Sequence, residues 1–320
     1  MKIGLDIMGG DFAPDNTILG AILAFNELPA SDRIVLIGDK KVIVDKLNRE
    51  DCDPGNFDIV HTSEVIEMSE HPIKAFNQKK DSSLYVGFKM LKMNELNAFS
   101  SAGNTGALLV GSIYSINTIP GIIRPCTSAV LPKENGGISV LLDVGTNPDP
   151  KPDVMFQFAI LGSLYAKEVH GISNPRVGLL NIGKEEEKGN MLAQYAYKLL
   201  KDSKEFNFIG NIEGRDLLED KCDVIVCDGF TGNVVLKQIE AMYLFLMKRG
   251  FVDDYIKKFN YENIGGTPIL GINSSVMLGH GISSPLAIKN MLLHSKLMHE
   301  AQLTQKIQKA LKKYPENNKH

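Results

Sequence analysis

The segment Ser100-Ser101-Ala102-Gly103-Asn104-Thr105-Gly106-Ala107 places hydroxyls, an amide and glycines between apolar runs that end at Phe99 and begin again at Leu108. As a strand-to-helix junction it turns backbone N–H groups toward one point and adds the positive end of a helix. That combination suits an anion such as phosphate, with Ser101 and Thr105 hydroxyls as further donors. The competing reading is a tight turn in which Asn104 or Thr105 caps the helix. Lys188 offers a second chemistry. It lies in Asn181-Ile182-Gly183-Lys184-Glu185-Glu186-Glu187-Lys188-Gly189-Asn190, a charged loop from a strand into a helix. A lysine near a helix start opposes the helix dipole and fits a bound anion or a developing oxyanion; a solvated acidic loop is the plainer alternative. In Asp228-Gly229-Phe230-Thr231-Gly232-Asn233, Thr231 or Asn233 caps the following helix, or Asn233 donates its amide N–H to a carbonyl or phosphoryl oxygen while Asp228 orients a lysine.

These junctions require alternating strands and helices. Strands are expected at Lys2–Ile7, 33–37, 57–60, 96–99, 127–131, 138–143, 176–181, 207–210 and 223–227, and helices at about 15–28, 39–47, 82–96, from 104, 152–169, 188–201 and from about 233. Glu134-Asn135-Gly136-Gly137 suggests a hairpin. The alternation predicts an α/β fold with a mostly parallel sheet and helices on both faces, whose ligands sit beyond the carboxyl ends of the strands. Several such ends carry glycine with polar groups: Asp6-Ile7-Met8-Gly9-Gly10-Asp11, Ser100 to Gly106, Asp143-Val144-Gly145-Thr146-Asn147, Asn181 to Gly183, and Asp228 to Asn233. One compact domain is expected over 1–320, bilobal with a cleft as a variant, and the best candidate boundary is Pro120 to Pro125.

Composition narrows the function classes. The 320 residues are 43% hydrophobic and 23% charged with a formal net charge of -3, so no global basic field invites nucleic acid. Cys52, Cys126, Cys222 and Cys227 form no C-x-x-C pair and read as reduced structural thiols. No G-x-G-x-x-G fingerprint follows the first strand, and no P-loop, G-x-S-x-G elbow or H-E-x-x-H pair occurs. The chain opens as a strand rather than a signal peptide, no apolar run is long enough to span a bilayer, and a cytoplasmic protein without metal is expected. The apolar stretch Ala241 to Val252 reads as core or dimer interface, with shallow membrane insertion as the alternative. An amphipathic helix at about 285–313 ends in Lys306, Lys309, Lys312 and Lys313.

Together, Asp6 to Asp11 with Ala13-Pro14, Lys79-Lys80-Asp81-Ser82-Ser83, Ser101 to Ala107, Leu141 to Gly145, Pro175 to Gly183, Lys188-Gly189-Asn190, Asn207 to Asp216 and Asp228 to Val234 resemble the bacterial phosphate acyltransferase (PlsX) family, in order over residues 1 to 295. The resemblance implies a Rossmann-like three-layer sandwich similar to isocitrate and isopropylmalate dehydrogenases and to phosphotransacetylase. It implies transfer of a fatty acyl group from acyl carrier protein to inorganic phosphate, without a cofactor. The acyl phosphate then feeds a downstream glycerol-3-phosphate acyltransferase. A homodimer, peripheral at the inner face of the cell membrane, is implied as well, with the segment at about 234–263 facing the dimer or membrane. Lys248 to Asn263 is shorter than the family's helical hairpin, and Thr146 stands where alanine is expected.

On this basis Lys188, Asn233, Asp228 and Asp143 are the expected catalytic residues, the two aspartates orienting the lysine. Asp6, Gly9, Gly10, Asp11, Ser101, Gly103, Asn104, Thr105, Gly106, Asn147, Asn181, Gly183, Gly189, Asn190, Thr231 and Gly232 are expected to bind phosphate or substrate. Lys79, Lys80, Lys248, Arg249, Lys257 and Lys258 are expected to dock the acidic carrier protein. A phosphotransacetylase-like enzyme using acyl-coenzyme A, and a noncatalytic carrier-protein or membrane scaffold, are the alternatives.

Overall fold

The computed structural model describes residues 1–312. In chain order the elements are β1 (Lys2–Asp6), α1 (Asp15–Phe25), β2 (Arg33–Gly38), α2 (Lys40–Arg49), β3 (Asp58–His61), α3 (Pro72–Gln78), α4 (Ser83–Lys92), β4 (Ala98–Ser101), α5 (Thr105–Gly111), β5 (Cys126–Pro132), β6 (Ile138–Leu142), α6 (Pro152–Glu168), β7 (Arg176–Asn181), α7 (Met191–Lys201), β8 (Asn207–Glu213), β9 (Val224–Val226), α8 (Gly229–Lys248), β10 (Gly266–Leu270), β11 (Ser275–Gly279), α9 (Pro285–Glu300) and α10 (Leu303–Leu311). They form two compact units. Met1–Thr118 with Tyr261–Thr304 make the first, and Ile119–Asn260 with residues 305–312 make the second.

In the first unit the strand order is β3-β2-β1-β4-β11-β10, parallel except for β10. Successive strand residues face opposite ways, and β4 shows both faces covered. Phe99 packs edge-on to Phe88 of α4 with ring centroids 5.2 Å apart, while Ser100 meets Ser295 of α9 at 2.8 Å. The second unit repeats the plan with order β5-β6-β9-β7-β8, parallel except for β5. Val224 and Leu142 lie against Gly162 of α6, whereas Leu141 and Ile225 join a cluster with Val235 and Ile239 of α8. Each unit is thus a three-layer sandwich, as the sequence alternation predicts.

The departures have local causes. The helix expected to run to Leu96 ends at Lys92, because Asn94 turns at φ 58°. The helix expected over 285–313 breaks at Gln302, φ 52°, into α9 and α10; Lys313 lies outside the described residues. The antiparallel pair β10–β11 has no counterpart in the sequence reading, because the glycines, serines and Pro268 of that stretch break the alternating pattern. The helix expected from Lys188 starts at Met191, and Asn190 is its cap, accepting from Ala193 N at 2.8 Å. The helix expected near Asn233 starts at Gly229.

Candidate active site

In the first unit, β1 and β4 are parallel neighbours, so the junctions after them meet. Asp6 is buried and accepts from Ser101 Oγ at 2.8 Å and from Met8 N at 3.1 Å. Burial pushes its carboxyl above the usual range, partly offset by bonds from Ser83, Ser101 and backbone N–H groups. The two loops touch at Gly9 and Gly103, where a Cβ on Gly9 would stand 2.8 Å from Gly103 N. Asp11 N donates to the Gly281 carbonyl at 2.8 Å, which ties down the turn at Gly10. Asn104 caps α5: Oδ1 accepts from Ala107 N at 3.0 Å, and Nδ2 faces the Glu67, Met68 and Glu70 carbonyls at 3.0–3.2 Å. Ser101, expected as an anion donor, gives its hydroxyl proton to Asp6 instead. Gly106 leaves room for Pro72, and Thr105 stays exposed.

In the second unit, β6, β9 and β7 are adjacent and parallel, so the three remaining junctions leave one edge. Asp143 is fully buried beyond β6. It accepts from Thr127 N at 3.0 Å, Thr127 Oγ1 at 3.2 Å, Asn147 N at 2.5 Å and Asn147 Nδ2 at 3.0 Å. Burial raises its carboxyl, and these bonds pull it partly back. Asn147 also donates to the Pro125 carbonyl at 2.8 Å. Asp228 caps α8, accepting from Thr231 N at 2.8 Å and Thr231 Oγ1 at 2.7 Å. Gly232 lets α8 press against the turn: a Cβ there would lie 2.0 Å from the Asp143 carbonyl oxygen.

Asp143 and Asp228, expected to orient a lysine, are here bound to other partners. Among the described residues neither meets one: Asp143 fixes Thr127 and Asn147, and Asp228 fixes Thr231. The Asp228 carboxylate caps α8, meeting a free N–H of its first turn. What this rigid frame presents to solvent is Asn233, exposed and packed over Gly145, its Oδ1 3.4 Å from where a Cβ there would stand. Beyond β7, Lys188 is exposed, and its ammonium forms no ion pair or hydrogen bond among the described residues. Asn181 Oδ1 accepts from Ile182 N at 2.8 Å, and its Nδ2 donates to the Lys188 carbonyl at 3.1 Å. Gly183 and Gly189 shape the loop. An ammonium and an amide on one strand edge can stabilise a phosphate or a carbonyl oxyanion.

Sequence reasoning missed Thr127, Gln194 and Asn211, whose side chains hold these junctions from elsewhere in the chain. Thr127 and Asn211 act across the fold, and Gln194 acts on carbonyls five and seven residues before it, which no sequence motif marks. The expected docking cations are divided. Lys79 pairs with Glu70 at 2.6 Å and donates to the Val65 carbonyl, Lys80 lies 4.2 Å from the Tyr85 ring centroid, and Lys257 pairs with Asp254 at 2.8 Å. Lys248, Arg249 and Lys258 are exposed on the second unit. Among the described residues no cluster of three metal-ligating groups occurs, and no helix is long and apolar enough to cross a membrane.

Solved structures define the class by fold. A phosphotransacetylase from Streptococcus pyogenes superposes with a TM-score of 0.66 at 17% identity, covering 95% of this chain and 94% of that one. A branched-chain phosphotransacylase from Enterococcus faecalis gives 0.61 at 15%, covering 93% and 99%. The family described as fatty acid synthesis protein matches residues 1–306. A phosphate acyltransferase from Halothermothrix orenii is 41% identical over 92% of this chain and 94% of its own length, and one from Thermoanaerobacterium thermosaccharolyticum 42% over 97% of each. The chain belongs to this family of phosphate acyltransferases.

Proposed function

We propose that the chain moves a fatty acyl group from the thioester of acyl carrier protein to inorganic phosphate. A phosphate oxygen attacks the thioester carbonyl, the C–S bond breaks, the carrier leaves as its thiol with the proton from phosphate, and acyl phosphate is released. The observation that carries this reading is that exposed Lys188 and Asn233 follow two adjacent parallel strands, β7 and β9, beyond their carboxyl ends. Lys188 neutralises the attacking phosphate or the tetrahedral oxyanion, and Asn233 supplies a second donor. Asp143, Asn147, Asp228, Thr231 and Gly232 hold Asn233 in place. Phosphate is itself the nucleophile, and positioning replaces an acyl-enzyme. The thiols support this: burial pushes Cys126 and Cys227 well above the ordinary thiol range, so neither is a ready thiolate. On the first unit, the N–H groups of Thr105 and Gly106 at the start of α5 remain anion donors in this reading.

The apolar surface of α8 supports a second element of the proposal. Met242, Leu244, Phe245 and Met247 are each at least 44% exposed, which fits a helix that pairs with a second copy and shelters the acyl chain. Lys248, Arg249 and Lys258 fit an acidic carrier. The test is turnover of palmitoyl-carrier protein with phosphate, trapped as hydroxamate, against palmitoyl-coenzyme A. A clear preference for the coenzyme A thioester would replace the carrier in this reading.

A further inference from the structure

The loop that carries Lys188 is gripped by side-chain amides from three elements. Asn181 Nδ2, at the end of β7, donates to the Lys188 carbonyl at 3.1 Å. Gln194 Nε2, in the first turn of α7, donates to the Glu187 carbonyl at 2.8 Å and the Gly189 carbonyl at 3.1 Å. Asn211 Nδ2, on β8, donates to the Glu185 carbonyl at 2.8 Å and is only 7% exposed. The stem of Lys188 is aimed as well. A Cβ at Gly183 would stand 3.0 Å from Lys188 Cγ, so the lysine runs across a face that only glycine leaves bare. Glu186 is drawn off by Lys201 at 2.7 Å. A merely solvated acidic loop needs none of this, because water satisfies exposed carbonyls.

We infer that Gln194 and Asn211 are positioning residues for acyl transfer: through the backbone of residues 185–189 they fix where the Lys188 ammonium stands. The inference rests on the proposed role of Lys188 at the reacting oxygens. Without the grip, the loop relaxes and the ammonium falls toward Glu185, Glu186 or Glu187, one to three residues back along the chain. Charge stabilisation depends on a donor already in place when charge develops, and a misplacement of about 1 Å costs on the order of 10²-fold in rate.

The test is a double-mutant cycle on the full chain, with single-turnover rates taken at enzyme excess so that residual activity stays above the buffer reaction. Gln194→Leu and Asn211→Ala each lower kcat by about 10- to 100-fold while the KM for the carrier thioester holds. In the Lys188→Ala background, Gln194→Leu costs nothing further, because its effect passes through the missing ammonium. An equal fold-loss in both backgrounds, or full activity of Gln194→Leu and Asn211→Ala, overturns the inference. Full activity of Lys188→Ala alone fails the earlier step, removing Lys188 from the mechanism and the grip's purpose with it.

Discussion

Among the described residues, the Lys188 ammonium and the Asn233 side-chain amide have no hydrogen-bond or ion-pair partner, unlike Asp143, Asn147, Asp228 and Thr231. Asp143, Asn147, Asp228 and Thr231 spend their hydrogen bonds on one another and on the backbone, whereas the Lys188 ammonium and the Asn233 amide face outward. Lys188→Ala and Asn233→Ala should each lower turnover by about 10²–10³, the usual loss for one oxyanion donor, with the thermal midpoint unchanged. Steady-state hydroxamate formation beside a melting curve checks this; near-wild-type turnover in both variants would exclude the pair. Asp228→Ala belongs to the other class. It removes the cap of α8 and should cost about 1 kcal/mol, read as a lower denaturation midpoint. An unchanged midpoint would deny the cap.

At the scale of elements, the strand-end junctions were legible because glycine beside polar groups after an apolar strand is a local signal. Asn181 to Asn190 and Asp228 to Asn233 sit at the carboxyl ends of β7 and β9 as the pattern requires. The start of α8 lies four residues earlier than the apolar periodicity suggests, which makes Asp228 its cap. Ser101 and Asn104 were readable as polar groups at a junction, but their partners Asp6 and the 67–70 carbonyls come from distant sequence. Thr127 and Asn211 were invisible for the same reason, whereas Gln194 reaches only five and seven residues back and was missed because its side chain bonds backbone carbonyls, which no motif records. The junction between α8 and β6 offers a sharp test: Gly232→Ala would press a methyl group to 2.0 Å from the Asp143 carbonyl and should sharply reduce the yield of folded protein or its stability. Normal stability in denaturant titration would show that α8 can move away from the Asp143 turn.

At the scale of the whole molecule, acid sensitivity and salt dependence follow from where the charges lie. Burial alone would raise the Asp223 carboxyl, but hydrogen bonds from Arg176 at 2.9 Å and Lys133 at 2.5 Å outweigh it and hold it well below the usual range. Its stabilising contribution is complete above the unfolded carboxylate value of about 3.9 and is lost as pH falls through the lower folded value. Asp6 and Asp143, raised by burial, act in the opposite sense and regain stability as they protonate. Lys133→Met should therefore flatten the loss of stability below about pH 4, measured by denaturant midpoint against pH; an unchanged acid limb would contradict the network. Carrier docking on Lys248, Arg249 and Lys258 should raise the KM for carrier thioester as salt increases, and a flat response would reject those cations. The central claim is acyl transfer to phosphate, and its most direct test is to incubate the purified chain with palmitoyl-carrier protein and to trap product with hydroxylamine. Hydroxamate that appears only when phosphate is present is the predicted result. No hydroxamate from carrier-protein or coenzyme A thioesters, in a folded sample, would contradict it.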